Sequence, residues 1–443
     1  MQTILLAGAG KSSNYLIHYL LTNAARSKWK IIVADTNISA INQKIGDNPC
    51  AEAAELDIND EANRGRLVLS ADIVLSLMPA HLHILLAKDC LKYKKHLITS
   101  SYVSDEMRAL DAEARAAGLM FMCEMGLDPG IDHMSASKAI HSIHRVLGVI
   151  TSFKSYCGGL IAPVSDDNPW HYKFTWNPRN VVIAGSAGAK YLQSGRSVEI
   201  PYERMFEKNK KIKVEEYGQY AWYPNRDSYH YLDLYDVPKV KTFMRATLRH
   251  PSFTMGWGAL VSLGLTRQDN EMVTENMSIQ TWVRRVTNCP DGKPLMEHVA
   301  RLLQITQNDK IMHMLHWLGL FDEKPLKPGR NCNADILLSI LVDKWEMNPM
   351  DKDLVIMQHE IEYDHKGEKI IFNSTMMLEG ENREFSAMAK TVGLPIGILA
   401  KMILTNKVVP PVGVCIPTMQ SIYRPLLVEL AHHGVVFKDE VVI

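Results

Sequence analysis

The sequence predicts an α/β fold whose N-terminal part is a parallel, doubly wound sheet, followed by a mixed region and a helical one. Three observations carry this. Short apolar runs alternate with helical patterns through the first third of the chain. A glycine pattern, Gly8-x-Gly10-x-x-Ser13, joins the first run to the first helix. After His133 the alternation gives way to aromatic, Asn/Pro-rich stretches, and from about residue 252 to 346 to helical periodicity. Strands that alternate with helices imply a parallel sheet with helices on both faces.

The elements justify this in order. Ile4-Leu5-Leu6-Ala7 is a continuous apolar run, and Leu16, Ile17, Leu20 and Leu21 share one face of the helix expected next. Residues 29–34 form a second strand, 73–77 another that ends at Met78-Pro79, and 97–99 the next, which ends at Ser100-Ser101-Tyr102. Helices are expected over 82–91 and 104–117, and a strand over 119–122. Strands over 354–363 and 370–378 around Asp364-His365-Lys366-Gly367 read as a hairpin. Asn333 is expected to cap a helix through Ile336, Leu337, Ile340 and Leu341, and a last helical segment follows Pro395.

With 443 residues, two or three domains are expected, and 47% hydrophobic residues suffice for a large core. Lys plus Arg equals Asp plus Glu at 49 each, which gives no support for nucleic acid or an anionic membrane as partner. The basic run Lys208-Asn209-Lys210-Lys211-Ile212-Lys213 has acids on both sides and reads as a solvated face. The seven cysteines form no C-x-x-C pair, which suggests reduced thiols, a cytoplasmic location and no zinc or other metal site. No signal peptide is expected at the start, and no apolar run reaches the roughly 18 residues that span a bilayer.

Chemistry concentrates in three places. In Gly8-x-Gly10-x-x-Ser13 the first glycine permits a tight turn and the second a close approach of backbone to a pyrophosphate held by the helix start. Asp35 ends the second strand, where an acid accepts hydrogen bonds from the adenosine ribose and repels a 2′-phosphate; with Thr36 and Asn37 next and no arginine, NAD is favoured over NADP. Gly10-Lys11-Ser12 imitates the end of a phosphate-binding P-loop, but Leu5 stands where that motif needs its first glycine. Lys11, Ser12, Asp57, Leu77, Met78 and Pro79 complete the expected cofactor contacts.

The second place is Gly126-Leu127-Asp128-Pro129-Gly130-Ile131-Asp132-His133, an acid-rich turn after an apolar run. Ligands bind at the carboxyl ends of parallel strands. Asp128 and Tyr102 both leave such ends and could manage protons during hydride transfer. The plainer reading is a Tyr that packs and an Asp that caps a turn. Asp132 and His133 suit the first turn of a helix. The third place is a set of arginines, Arg179, Arg226, Arg245 and Arg249, in aromatic, loop-rich context; guanidinium forks match carboxylates, although surface ion pairs are an equal reading for any one of them.

The 126–133 segment resembles the signature of the L-glutamate-forming saccharopine dehydrogenases. The resemblance continues through Ser155-Tyr156-Cys157-Gly158-Gly159-Leu160, Asn168-Pro169, Tyr172-Lys173-Phe174, Tyr223-Pro224-Asn225-Arg226-Asp227-Ser228, Arg245-Ala246-Thr247-Leu248-Arg249 and Ser386-Ala387-Met388-Ala389-Lys390-Thr391-Val392-Gly393. It implies a Rossmann-type parallel sheet domain over 1–124, joined by 386–443. It also implies a mixed α/β substrate domain over 125–251 and 348–385, and a helical insertion over 252–347.

The implied reaction interconverts saccharopine with L-glutamate and α-aminoadipate semialdehyde, in lysine metabolism, by hydride transfer between a secondary amine or imine and NAD or NADP. A homodimer acting on small amino-acid substrates is expected. The resemblance places Ser101, Tyr102, Asp128, Arg226, Thr247, Leu248 and Arg249 against saccharopine, and Asp128 and Cys157 near the reacting carbon. Tyr102 and Asp128 are the stronger acid/base candidates and Cys157 a supporting one, since a core thiol is the usual reading of a buried-pattern cysteine. The family's fungal members carry an arginine just after the second strand, where this chain has Asp35-Thr36-Asn37. A carboxynorspermidine-type reductase of polyamine synthesis and a non-catalytic dinucleotide sensor are the competing readings.

Overall fold

Ile4, Leu5 and Leu6 have no exposed surface, so the first strand is flanked by protein on both faces, as a central parallel strand must be. The computed structural model describes residues 1–207, 210–215 and 217–442. Lys208 and Asn209 of the basic run lie outside the described residues. Lys210, also in that run, begins a strand and places its ammonium over the Trp222 ring at 4.5 Å.

The chain divides into two compact units. The first comprises Met1–Ile150, Leu234–Asp236 and Met357–Ile443, the second Thr151–Asp233 and Val237–Ile356. The sequence-based division assigned 125–150 and 357–385 to the substrate domain; in the structure they fall in the first unit, where the helix Ile131–Arg145 packs on the helix Gln420–His432.

The first unit is built on a seven-stranded parallel sheet. Its strands are β1 (Gln2–Ala7), β2 (Trp29–Asp35), β3 (Ala51–Glu55), β4 (Ile73–Ser76), β5 (His96–Thr99), β6 (Met120–Met122) and a late strand, Gly413–Cys415. Their spatial order is Gly413–Cys415, β6, β5, β4, β1, β2, β3. The order reverses between β1 and β4, and at that switch point the carboxyl ends of two neighbouring strands open a crevice. Helices α1 (Asn14–Ser27), α2 (Ile38–Ile45), α3 (Glu61–Ser70) and α4 (His83–Tyr93) make the crossovers. Leu5, Ile32, Val74, Leu97 and Phe121 form the core of one face, each worth about 1.5–3 kcal/mol of burial.

Several expectations need correcting. Residues 104–117 form two short helices, Asp105–Ala109 and Asp111–Ala116, which meet at Leu110. A helical segment does follow Pro395, but the helix begins before it: Pro395 lies inside Ala387–Leu404, and a further helix, Gln420–His432, comes later. The helix Ala387–Leu404 is long and apolar enough to cross a bilayer by length and composition, yet 78% of it is buried within protein. The hairpin turn shortens to Lys366-Gly367, both with positive φ (53° and 89°), the conformation that two-residue turns between twisted strands require.

In the second unit, the strands Lys210–Val214, Gly218–Pro224 and Thr242–Arg249 run in that order, and Thr242–Arg249 pairs in parallel with the strand Val149–Ile161. Six of the described helices contribute to the core around Trp170, Trp257, Trp282 and Trp345. Asn333 is not a cap: it is the first residue of the helix Asn333–Lys344 and is buried. Its amide accepts from Trp282 Nε1 and Asn270 Nδ2, both at 3.0 Å, and donates to the Gly264 carbonyl at 2.9 Å.

Candidate active site

The crevice at the switch point is made by two turns that nearly touch. Gly8 has φ of 98° and donates to the Ala34 carbonyl; a Cβ here would lie 2.9 Å from the backbone carbon of Leu77. Only glycine fits, because the conformation and the space both exclude a side chain. Gly10 is exposed and a Cβ there would meet nothing within 4 Å, so backbone N–H groups at the helix start face open space. The first turn of the helix carries no acid to repel a phosphate. Ser13 is buried and its hydroxyl donates to the Gly10 carbonyl at 2.8 Å, so the third position of the glycine pattern is filled by a residue that ties the loop. Lys11 is exposed, Ser12 half-buried, and Leu77 and Met78 line the same turn pair, with Pro79 exposed beyond them. These residues fit a dinucleotide.

Asp35 does more than face a ribose. Its Oδ2 accepts from Ala9 N at 2.7 Å and its Oδ1 from Thr36 Oγ1 at 3.2 Å, so it fastens the end of β2 to the glycine loop. Asp57 is exposed and accepts from Asn59 N at 2.9 Å, closing a local turn past β3. Sequence reasoning missed Lys44. From α2 its ammonium donates to the carbonyls of Ala9 (2.6 Å) and Gly10 (2.7 Å) and to Ser13 Oγ (3.0 Å). Burial lowers its pKa to about 8, against the opposing pull of Asp35 and Glu384.

The substrate-side residues of the first unit sit on one short loop and one turn. Tyr102 donates to Asp128 Oδ1 at 3.2 Å, and both side chains are half-buried. The Asp128 turn is rigid: Gly126 N donates to the Pro129 carbonyl at 2.9 Å, and Ile131 N to the Gly126 carbonyl at 2.9 Å. Gly130 has φ of 145°, and a Cβ there would fall 2.1 Å from the Gly126 carbonyl oxygen. Asp132 accepts from Gly130 N at 2.6 Å, the helix-start role expected of it.

His133 is wholly buried with Glu124 Oε2 at 2.7 Å from Nε2 and the Tyr235 hydroxyl at 2.7 Å from Nδ1. Glu124 also accepts from Val103 N at 3.1 Å, and its own N donates to the Ser101 carbonyl at 3.0 Å. Glu124 thus anchors both ends of the loop that bears Ser101 and Tyr102, one through its backbone N–H and the other through its buried carboxylate. Behind the loop, His83 bridges Ser76 and Ser101.

The second unit holds the cationic candidates. Cys157 and Thr247 are register partners of the parallel pair, as are Ser155 and Arg245. Alternation along a strand puts Arg245, Thr247 and Arg249 on one face with Cys157. Arg249 is buried; it donates to the Leu248 carbonyl at 2.9 Å and lies 5.4 Å from the Tyr172 ring centre. Among the described residues no carboxylate pairs with Arg249, and its Nε has no hydrogen-bond partner. A desolvated guanidinium left in that state is set for an anion. Arg245 is also buried, over the Tyr231 ring at 4.7 Å.

Three expected residues depart from this set. Leu248 points to the opposite face, fully buried against Gly158, because it lies one residue out of phase with Thr247 and Arg249. Arg179 is half-exposed and ion-paired with Asp335, so its charge is already met. Arg226 is exposed, with φ of 50°.

The saccharopine dehydrogenase NADP binding domain family matches residues 4–122, and the saccharopine dehydrogenase C-terminal domain family matches residues 126–435. The chain is 33% identical to a Schizosaccharomyces pombe protein named saccharopine dehydrogenase [NADP(+), L-glutamate-forming], over 100% of this chain and 99% of the relative. It is 32% identical to the Saccharomyces cerevisiae protein of the same name, with the same coverage. The solved apo structure of histidine-tagged saccharopine dehydrogenase (L-Glu forming) from Saccharomyces cerevisiae superposes with a TM-score of 0.88 at 30% identity over 100% of both chains. The chain belongs to the saccharopine dehydrogenase family.

Proposed function

We propose that the protein is a nicotinamide-dependent saccharopine dehydrogenase of the L-glutamate-forming type. The observation that carries this is the Tyr102–Asp128 pair at the carboxyl ends of β5 and β6, in the unit that also holds the Gly8–Gly10 dinucleotide turn. A hydroxyl hydrogen-bonded to a carboxylate is a proton relay. When bound, the nicotinamide ring supplies the hydride acceptor or donor. In the oxidative direction the relay takes the proton of the secondary amine as the adjacent carbon gives up a hydride. Water then adds to the imine carbon, the C–N bond breaks, and the relay returns the proton to the departing amine.

Arg249, with its unmatched Nε, and Arg245 suit the carboxylates of such a substrate. Saccharopine has three carboxylates, which supports it over a polyamine precursor with fewer. Cys157, with a buried thiol in register with Thr247, fits a packing role beside these residues.

For the cofactor, Asp35 at the end of β2 and the absence of arginine at 36 and 37 support NAD. A second reading, NADP, is favoured by the relatives' names and by the Lys44 ammonium on the glycine loop. The deciding experiment is product identification. Oxidation at one carbon beside the nitrogen of saccharopine yields glutamate and α-aminoadipate semialdehyde, whereas oxidation at the other yields lysine and 2-oxoglutarate. Glutamate formed one-for-one with reduced dinucleotide supports the proposal, and lysine overturns it.

A further inference from the structure

Ser76 closes β4 and has no exposed surface. Its hydroxyl lies 2.8 Å from Nδ1 of His83, and Nε2 of the same ring lies 2.8 Å from the Ser101 hydroxyl. His83 begins α4 and is buried. Burial, with a smaller contribution from His81, pushes its pKa down to about 4, so the ring is neutral at physiological pH. A neutral imidazole donates from one nitrogen and accepts at the other.

Ser76 decides which. Among the described residues its hydroxyl has one hydrogen-bond partner, Nδ1 of His83. A buried O–H that met no acceptor would forfeit its full desolvation energy, so Ser76 donates to Nδ1. Nδ1 is then bare and Nε2 carries the proton. Nε2 donates to Ser101 Oγ, which leaves the Ser101 O–H without an acceptor among the described residues, on a half-buried side chain. The relay runs one way, from the core outward. The backbone of Ser101 cannot swing to reverse it, because its carbonyl accepts from Glu124 N at 3.0 Å.

We propose that His83 is a positioning residue: it occupies one lone pair of Ser101 Oγ and so turns the O–H of this expected substrate contact outward, as a donor to a carboxylate oxygen of the amino-acid substrate. This rests on the saccharopine reading for the substrate, but the direction of the relay does not. A serine held in this way presents its O–H to an acceptor, so it rewards a carboxylate over a group that can only donate, such as an ammonium.

Two measurements on the full-length protein test it. In the ¹⁵N-histidine-labelled chain, with the His83 signals assigned by their loss in His83→Gln, Nε2 is expected protonated and Nδ1 bare, unchanged from pH 8 down to about pH 5.5. A protonated Nδ1, or an imidazolium within that range, overturns the relay. In steady-state kinetics, Ser101→Ala is expected to raise KM for saccharopine roughly 10- to 100-fold, the loss of a hydrogen bond to a charged acceptor, with kcat changing less. Ser101→Thr, which keeps the O–H, is expected to recover most of this, and dinucleotide affinity measured by fluorescence titration is expected to hold.

His83→Gln retains a donor at the ε position and is expected to lie nearer the wild type than His83→Leu. Should His83→Leu fail to fold, the Ala/Thr pair at Ser101 carries the test alone. A KM within about two-fold of wild type in Ser101→Ala, or an equal loss of dinucleotide affinity, overturns the assignment to a substrate carboxylate. If the wild-type protein does not turn over saccharopine, the functional reading fails and the tautomer alone judges the relay.

Discussion

The Tyr102 hydroxyl donates a 3.2 Å hydrogen bond to Oδ1 of Asp128, across two loops that leave neighbouring parallel strands. Each loop is held from behind. Glu124 N and Glu124 Oε1 bind the backbone at Ser101 and Val103, and the Gly126–Gly130 turn bears Asp128. A proton relay needs fixed geometry more than flexibility, and this arrangement supplies it.

Asp128→Asn keeps the shape of the turn but removes the base. Its kcat for saccharopine oxidation should fall about 10²- to 10⁴-fold, the usual worth of a general acid or base. Tyr102→Phe should cost less, since Asp128 keeps its charge. Steady-state kcat on both variants, with circular dichroism to confirm folding, checks the order. Equal or negligible losses would remove the pair from the chemistry.

Lys44 ties cofactor affinity to pH. Its pKa of about 8 means that the ammonium is charged below that pH and increasingly neutral above it. Dinucleotide phosphates favour the charged form and raise its pKa further when bound. Affinity should therefore hold below about pH 8 and weaken as the pH climbs through the interval between the free and bound pKa values. Lys44→Met should bind more weakly and lose this dependence. Fluorescence titration of the dinucleotide from pH 7 to 10 gives the reading.

Gly8→Ala combines positive φ with a steric clash at Leu77. It should cost about 1–3 kcal/mol of stability and weaken dinucleotide binding at the same time, whereas saccharopine KM at saturating cofactor should change little. Urea unfolding and cofactor titration test the two halves separately.

Asn333→Leu should destabilise the protein by about 2–4 kcal/mol, because it leaves Trp282 Nε1 and the Gly264 carbonyl buried without their partner. The urea midpoint of unfolding measures this.

The parallel sheet was legible because β1, β2, β4, β5 and β6 are apolar runs that end in turn residues. β3 was not, since Ala51-Glu52-Ala53-Ala54-Glu55 has weak strand propensity and is held by its register on β2. The break at Leu110 and the burial of Pro395 inside a helix likewise depend on tertiary packing. At the site, Gly8, Tyr102 and Asp128 could be read from spacing and placement. Lys44, His83 and Glu124 could not. Each acts through a fold contact with a residue far along the chain, and a lone Lys, His or Glu on an amphipathic pattern carries no local signal. Leu248 shows the opposite failure: a residue inside a motif whose side chain faces away from it.

The central claim is hydride transfer from saccharopine, and its most direct test is absorbance of reduced dinucleotide when the purified protein meets saccharopine with NAD and, separately, with NADP. The account predicts saccharopine-dependent reduction of at least one of them, with NAD preferred on the Asp35 argument, and its loss in Asp128→Asn. Reduction of neither would contradict it.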